Sequence, residues 1–459
     1  MAFRLLMAAC VVVAGVVASA GESLGGDEFR KALDAALDSH STTKRTTVTL
    51  KVIDLESGDV LYDRGGDRLL TPASNLKIYT SACALATFGS EHRFKTTVGT
   101  RCVMRNGHWH GDLWLVGGGE SMLRSGDLEL IADRTVKEMG IESVAGRVKV
   151  DNSRYASERL GPGWMWDDEP SDYSMAVTPL MLDFNALTVK LTPGVSGVAA
   201  QLVPPADYPA IHRANERKAG EMPTVMRRPF DDKLTLVDGD KLEKPIEQKL
   251  SANDPGRWAA AVFERMLGDR GVEFHRQEIK PLGKAEPWVV HEGPTLANTL
   301  KHFNHESENA VGEVLLHEIA IAKGVKRPDW PAGAKAISEW LVDEAGLEKG
   351  SFRLVDGSGL SRYNLISADS SVRLLKYMYG NEHFDVFFAS LPTEKVDGKP
   401  VVSAKGGSMS SVSTISGYIK TEGGRLLAFS LLANGFVGDN KPVFDLRQAV
   451  WRELVQYRP

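Results

Sequence analysis

Polar and apolar positions first fall into a helical rhythm over residues 27–39, where Phe29, Leu33, Ala36 and Leu37 share one face. The spacing predicts an amphipathic helix. Over residues 46–54 the period drops to two, with Val48, Leu50 and Val52 on one side. The turn Ser57-Gly58-Asp59 and a short return over 60–62 complete the signature of a hairpin. A third pattern follows. Leu76, Ile78, Tyr79, Ala82, Ala84, Leu85, Ala86 and Phe88 leave little polar face before Gly89, which predicts a buried helix stopped by glycine. Thr71 suits its N-cap and Pro72 its first position, where a missing N–H costs nothing.

From about residue 91 to about residue 284 the texture changes to short strands, turns and irregular polar segments. Residues 111–116 read as a strand running into Gly117-Gly118-Gly119, 147–151 as another, and 183–191 alternates again. Residues 204–254 are rich in proline and charge, with weak periodicity, and point to a small subdomain or long loops. Asp254-Pro255 then opens a helix through Leu267. The whole stretch reads as an insertion, because the elements flanking it complete each other. After it come a helical pattern over 295–322 with a break at 304–308, a helix over 334–344, and a tight turn at Asp356-Gly357-Ser358-Gly359. Three strands are expected at 401–405, 416–420 and 426–433, and a closing helix at 443–457. Two early and three late strands with helices at both ends predict an α/β (α+β) fold, one antiparallel sheet covered by helices.

Composition narrows the setting. The 459 residues are 42% hydrophobic and 25% charged, enough for two or three globular domains. Arg4, an apolar run over 5–17 and Ala18-Ser19-Ala20 have the three parts of a secretory signal peptide, assigned to residues 1–20. The run is too short to favour a membrane span, and no later stretch is long enough. The mature chain is therefore expected outside the cytoplasm, in the periplasm or cell envelope, without a transmembrane segment. Cys10 precedes the end of the apolar run, the wrong place for lipidation. Cys83 and Cys102 are too few for a disulfide scaffold or a cysteine-built metal site, and whether they pair is left open. A net charge of −5 gives no basic footprint for nucleic acid.

The chemistry lies in three short signals. Ser74 and Lys77, three apart at the expected start of the buried helix, share one side of it. A hydroxyl there sits at the positive end of the helix dipole, and a lysine held out of water can lose its proton near neutral pH and take the one from Ser74. Such a spacing arises by chance about once or twice in a chain this long, so it needs company. Ser307-Glu308-Asn309 falls in the predicted helical break, where a hydroxyl and an amide can point into a cleft. Lys405-Gly406-Gly407-Ser408 ends a predicted strand at a glycine pair that lets backbone approach a ligand and leaves the Ser408 N–H available. His302, His305 and His317 lie near one another in sequence but carry no HExxH signature, so neither a metal nor a cofactor is expected. His108 and His110 flank Trp109 on what reads as a surface hairpin, and Trp164 and Trp166 read as packing residues.

Ser-x-x-Lys, Ser-x-Asn and Lys-x-Gly, in that order, match the serine acyl-transferase arrangement of penicillin-recognising enzymes. With the stretches TPASNLKIYTSACALATFG, GDLWLVGGGES, GPGWMWDDEPSDYSMAVTPL, HESENAVGEVLL, DGSGLSRYN and SGYI, the chain resembles the penicillin-binding protein 4 type of D-alanyl-D-alanine carboxypeptidase, the low-molecular-mass class C group, over essentially all of the mature sequence. The resemblance implies a serine β-lactamase/transpeptidase-like domain formed by 21–90 and 285–459. Two mainly-β inserted domains would interrupt it, one at 91–165 and 255–284, the other at 166–254. It implies attack by Ser74 on a D-alanyl-D-alanine stem peptide of peptidoglycan through an acyl-enzyme, with Lys77 as general base. Ser307 and Asn309 would relay a proton and hold the acyl-side amide, and Lys405 would steady the network and the substrate carboxylate. The Ser74 and Ser408 N–H groups would form the oxyanion hole. Asp168 would help bind the free amine of the diamino acid, β-lactams would trap the serine covalently, and endopeptidase cleavage of cross-links would be open to the same site. One position departs: the family usually has threonine where this chain has Gly406, removing a hydroxyl expected on the terminal carboxylate. That departure also allows an alternative, a catalytically silent module on the same fold that binds peptidoglycan or a protein. A β-lactamase or esterase ranks below both, since no glutamate is placed to promote deacylation.

Overall fold

The early hairpin and the late strands meet in one six-stranded sheet, ordered Thr393–Val396, Lys399–Met409, Val412–Lys420, Leu426–Asn434, Thr47–Asp54, Val60–Arg64, with every neighbour antiparallel. The computed structural model describes residues 26–38, 41–100, 103–156, 159–195, 197–279 and 286–459. The expected signal segment with its Cys10, and Cys102, lie outside the described residues. Cys83 is a buried free thiol.

Both faces of the sheet are covered, which is why the inner strand Leu426–Asn434 reads as a nearly unbroken apolar run. Leu427, Phe429 and Leu431 turn to one side and pack with Phe29 and Leu33 of helix Gly26–Asp38 and Trp451 and Leu454 of helix Lys441–Gln456. Ala428 and Leu432 turn to the other, toward Ile78, Ala82 and Leu85 of helix Lys77–Phe88 and the helices Asn309–Ala322, Trp330–Asp343 and Ala368–Tyr379. Each such Leu or Phe removed from water contributes about 1.5–3 kcal/mol, and both layers hold the sheet that carries the third motif.

A second core, drawn from residues between Val98 and Val289, lies apart from these. It includes a four-stranded sheet ordered Glu286–Thr295, Arg93–Thr100, Leu113–Gly118, Val148–Asp151, against which helices Ser125–Met139 and Pro255–Gly268 pack. Asp254 caps the latter helix as expected, accepting from Arg257 N at 3.0 Å. Arg154, just beyond the fourth strand, grips Glu318 of helix Asn309–Ala322 through two bonds of 2.7 and 2.6 Å, and Tyr155 Oη adds a third of 2.7 Å.

Several expectations are corrected. Of the two alternatives for residues 204–254, a small subdomain or long loops, the strands favour the first: Ile211–Lys218, Thr224–Arg227 and Leu234–Gly239 form one small sheet, and Ile246–Ser251 joins Ala186–Gly194 and Gly197–Val203 in another. The stretch 183–191 is strand only from Ala186, because Asp183, Phe184 and Asn185 all take left-handed φ angles of 45°, 60° and 56°. Helix Ser125–Met139 was hidden by the charges between Leu128, Ile131 and Met139. Helices Ala368–Tyr379 and Phe384–Ser390 were not anticipated either. Among the described residues no helix is long and apolar enough to cross a membrane.

Candidate active site

The turn carrying Ser74 departs from the expected helix start. Ala73–Leu76 is a 3₁₀ turn, followed by the α-helix Lys77–Phe88, with Pro72 rather than Thr71 at the N-cap and no side-chain cap. Thr71 instead donates its backbone N–H to Asn434 Oδ1 at 2.9 Å. Ala73 has φ +48°, a conformation that costs an L-residue energy and is held here by its surroundings. A Cβ on Gly359 would run into the Ala73 carbonyl, so the 356–359 turn presses directly on the nucleophile backbone.

That packing places Lys77 with no exposed surface. Its Nζ lies 2.9 Å from Ser74 Oγ, 2.8 Å from Asn309 Oδ1 and 2.8 Å from the Ser358 carbonyl oxygen. The Phe303 ring lies 5.6 Å from the same nitrogen and helps exclude water. Burial and then the nearby Lys405 charge hold the amine down to about 7, against the opposing pull of Asp356, Glu313 and Glu308. A lysine in that range is half free base at neutral pH, within reach of a hydroxyl proton.

Ser307 and Asn309 sit where the helix breaks. Helix Leu296–His305 ends, Ser307 takes φ +59°, and helix Asn309–Ala322 begins with Glu308 at its N-cap. Asn309 Nδ2 donates to the Tyr173 carbonyl at 3.0 Å, which turns its oxygen toward Lys77. Lys405, 4% exposed, donates to Ser307 Oγ at 3.0 Å, and burial lowers its amine to about 8.

The strand carrying Lys405 does not end at the glycine pair. It runs through Gly406, Gly407 and Ser408 to Met409, in register with Val412–Lys420. The two glycines differ. A Cβ on Gly407 would stand 2.5 Å from Asn75 N and closer still to the Pro72 carbonyl, so this position lets the strand abut the nucleophile turn. A Cβ on Gly406 would find only the Thr414 carbonyl, 3.8 Å away. On its outer side the strand pairs with Thr393–Val396 only as far as Ser403, leaving the edge beyond it unpaired by any described strand.

A cavity of about 520 Å³ is lined by Ser74, Ser307, Asn309, Ser408, Asp168 and Arg362, among others. Five of the nine sequence-selected residues therefore share one cleft. Lys77 and Lys405 lie beneath its floor, bonded to two of the lining hydroxyls, and Gly407 braces the nucleophile turn. Asp168 closes the turn Trp166–Asp168 and accepts from Tyr173 Oη at 2.7 Å. Of the two tryptophans read as packing, Trp164 is buried with its Nε1 on Asp356 Oδ2 at 3.1 Å, but Trp166 is 67% exposed. His302 stacks on Phe184, and His317 on Tyr155. Arg362, Tyr173 and the Ser358 carbonyl were missed. A backbone acceptor leaves no side-chain signal, although the DGSG turn that carries it was visible.

Comparison with known proteins follows the same lines. Residues 29–452 match the family model described as D-Ala-D-Ala carboxypeptidase 3 (S13) family. A D-alanyl-D-alanine carboxypeptidase of an Actinomadura species is 31% identical over 449 residues, covering 90% of this chain and 82% of its own. The D-alanyl-D-alanine carboxypeptidase DacB of Haemophilus influenzae is 24% identical, over 88% and 90%. The crystal structure of penicillin binding protein 4 from H. influenzae superposes with a TM-score of 0.78 at 21% identity, covering 93% of this chain and 99% of that one. The folds therefore agree across nearly the full length.

Proposed function

Because this chain belongs to the D-Ala-D-Ala carboxypeptidase 3 (S13) family, we propose that it is a serine peptidase whose Ser74 cleaves the terminal D-alanyl-D-alanine bond of peptidoglycan stem peptides. The observation that carries this reading is the buried Lys77 amine, 2.9 Å from Ser74 Oγ and lowered to about 7.

In the proposed reaction neutral Lys77 takes the Ser74 proton as Oγ attacks the carbonyl carbon of the penultimate D-alanine. The oxyanion is received by the Ser74 and Ser408 backbone N–H groups, each such donor being worth about 100- to 1000-fold in rate. The C–N bond breaks as Ser307 passes its proton to the leaving amine and takes another from the Lys405 ammonium that donates to it, and D-alanine departs. Water then enters by the reverse proton route and frees the shortened peptide. In this reading the strand edge past Ala404 offers backbone groups to an extended peptide, Asn309 is assigned to the acyl-side amide and Ser408 to the terminal carboxylate; that Asn309 and Ser408 both line the cavity supports the assignment. Asp168 and Arg362, of opposite charge in one cleft, suit the amine and carboxylate of a diamino acid side chain. A D-alanyl cross-link presents the same carbonyl chemistry, so endopeptidase cleavage belongs to the reading, as does acylation by β-lactams; a second H. influenzae penicillin binding protein 4 structure is complexed with a β-lactam. The separate core between Val98 and Val289 supports the division into a catalytic unit and inserted units, and the substrate's location supports secretion to the envelope.

Incubation with a fluorescent penicillin and with a stem pentapeptide tests the reading. Wild type should label and release D-alanine, and Ser74→Ala should do neither. An unlabelled wild type that releases no D-alanine would leave the silent binding module.

A further inference from the structure

Lys77 is held by two acceptors, Asn309 Oδ1 and the Ser358 carbonyl, each at 2.8 Å, in addition to Ser74 Oγ. A neutral amine has two N–H bonds and one lone pair. When the two acceptors take the two N–H bonds, the lone pair is left facing the serine hydroxyl. The aim of the base is thus set by whatever fixes those two oxygens.

Asn309 Oδ1 is fixed by its own amide nitrogen on the Tyr173 carbonyl. The Ser358 carbonyl is fixed from behind. Glu313, one helical turn after Asn309 and completely buried, accepts from Ser358 N at 2.9 Å through Oε1, and from Gly357 N at 3.2 Å and Trp330 Nε1 at 2.8 Å through Oε2. The adjacent Gly357 carbonyl is tied to Thr80 Oγ1 at 2.7 Å. Helix and turn cross so closely here that a Cβ on Gly357 would collide with the Gly312 carbonyl. Every partner of the Glu313 oxygens is a donor, so the carboxylate is the form that fits.

The geometry points to Glu313 as a positioning residue for this reaction: through the 357–358 peptide it holds the Ser358 carbonyl so that the Lys77 lone pair is directed at Ser74. It touches no substrate. A buried acid within an apolar helix is costly unless fully paired, and here its bonds serve two successive peptide N–H groups and one indole. The titratable groups around it are Asp356 on the turn, Lys77 on the nucleophile helix and His317 one turn on, whose Nδ1 meets the Glu313 carbonyl at 2.7 Å. Burial and then Asp356 push the Glu313 carboxyl up.

The inference rests on the serine reading above, and the test separates the two. The rate of labelling by a fluorescent penicillin is measured against pH for the full chain and for Glu313→Gln and Glu313→Asp, with thermal unfolding alongside. Gln offers an N–H where a donor needs an acceptor. It should lower the labelling rate about 10- to 100-fold, as expected for an ångström-scale misplacement. It should also move the acid-side midpoint of the pH profile downward, because the Ser358 carbonyl, no longer held in place, accepts less well from the ammonium form of Lys77. Asp keeps the charge but withdraws from Ser358 N, so it should lose rate with a smaller change in midpoint. A folded Gln variant with the wild-type rate and midpoint overturns the inference. If that variant does not fold, an Asp variant at the wild-type rate overturns it. An unlabelled wild type removes the serine reading and this inference with it, whereas labelled wild type and equally labelled variants remove this one alone.

Discussion

Asn75 Nδ2 donates to the backbone carbonyl of Lys405 at 2.6 Å, joining residues 330 apart in sequence, one next to the nucleophile and the other the third-motif lysine itself. The Asn75 side-chain oxygen accepts from Ser416 Oγ at 3.0 Å on the next strand. One buried amide therefore joins the Ser74 turn to two strands of the sheet, beside the bond from Thr414 Oγ1 to the Pro72 carbonyl and the close approach of Gly407. Asn75→Ala should cost about 1–3 kcal/mol by leaving the Lys405 carbonyl without this partner. It should slow β-lactam acylation more than the stability loss alone explains, since the two lysines no longer keep their spacing. Denaturant unfolding and labelling rates on the same preparation check this.

Activity should depend on pH as a narrow bell. The proposed reaction uses Lys77 as its free base, so kcat/KM should rise as pH passes about 7, and Lys405 as its cation, so kcat/KM should fall as pH passes about 8. Lys405 also lowers the Lys77 amine by charge repulsion, so Lys405→Met should move the acid limb upward while reducing the rate. A rate profile on a small D-alanyl ester checks both midpoints, and an acid limb left in place by Lys405→Met would contradict the coupling.

The neighbouring glycines should respond oppositely to substitution. Gly406 faces open space, so Gly406→Thr should leave the melting temperature nearly unchanged and restore a hydroxyl beside the cleft, lowering KM for peptides ending in D-alanine. Gly407→Ala forces a methyl against Pro72 and Asn75 and should destabilise by about 1–3 kcal/mol with a large loss of labelling. Parallel melting curves and steady-state kinetics distinguish the two.

Asp168 should matter for substrate and not for the acylation chemistry. Asp168→Asn should raise KM about 10-fold for a stem peptide with a free side-chain amine, an effect in the range of one charge-assisted bond. The penicillin labelling rate should hold within about 2-fold. Equal losses on both would move Asp168 out of amine recognition and into support of Tyr173.

Much of this architecture was written in local periodicity. The hairpin of Thr47–Asp54 and Val60–Arg64, the glycine stop of the buried helix and the strand Leu426–Asn434 emerged close to their observed bounds, because a half-buried strand and a buried helix leave different spacings, while the strands expected at 401–405 and 416–420 proved longer. Ser74, Lys77, Ser307, Asn309 and Lys405 were legible because each lies in a short signal tied to a helix start, a helix break or a strand. What escaped was decided by distant contacts. The 3₁₀ turn at Ala73–Leu76 is shaped by Gly359 against the Ala73 carbonyl, and no residue near Ser74 announces that. Glu313 looked like one acid in an apolar helix, and its meaning depends on a peptide group 44 and 45 residues further on. The strand through Gly406 and Gly407 also ran longer than glycine content suggested, since the partner strand supplies the order.

Inside the large sheet Thr47–Asp54 pairs with Leu426–Asn434, the first described strand with the last. During synthesis the opening hairpin must wait, one edge bare, while nearly the whole polypeptide emerges behind it, and loop-closure entropy makes that late pairing slow. The segment between Val98 and Val289 has an interior of its own and can collapse in the meantime. Competence for acylation is then gained in one last event, so the fraction of molecules able to react with a penicillin also counts those that have finished folding.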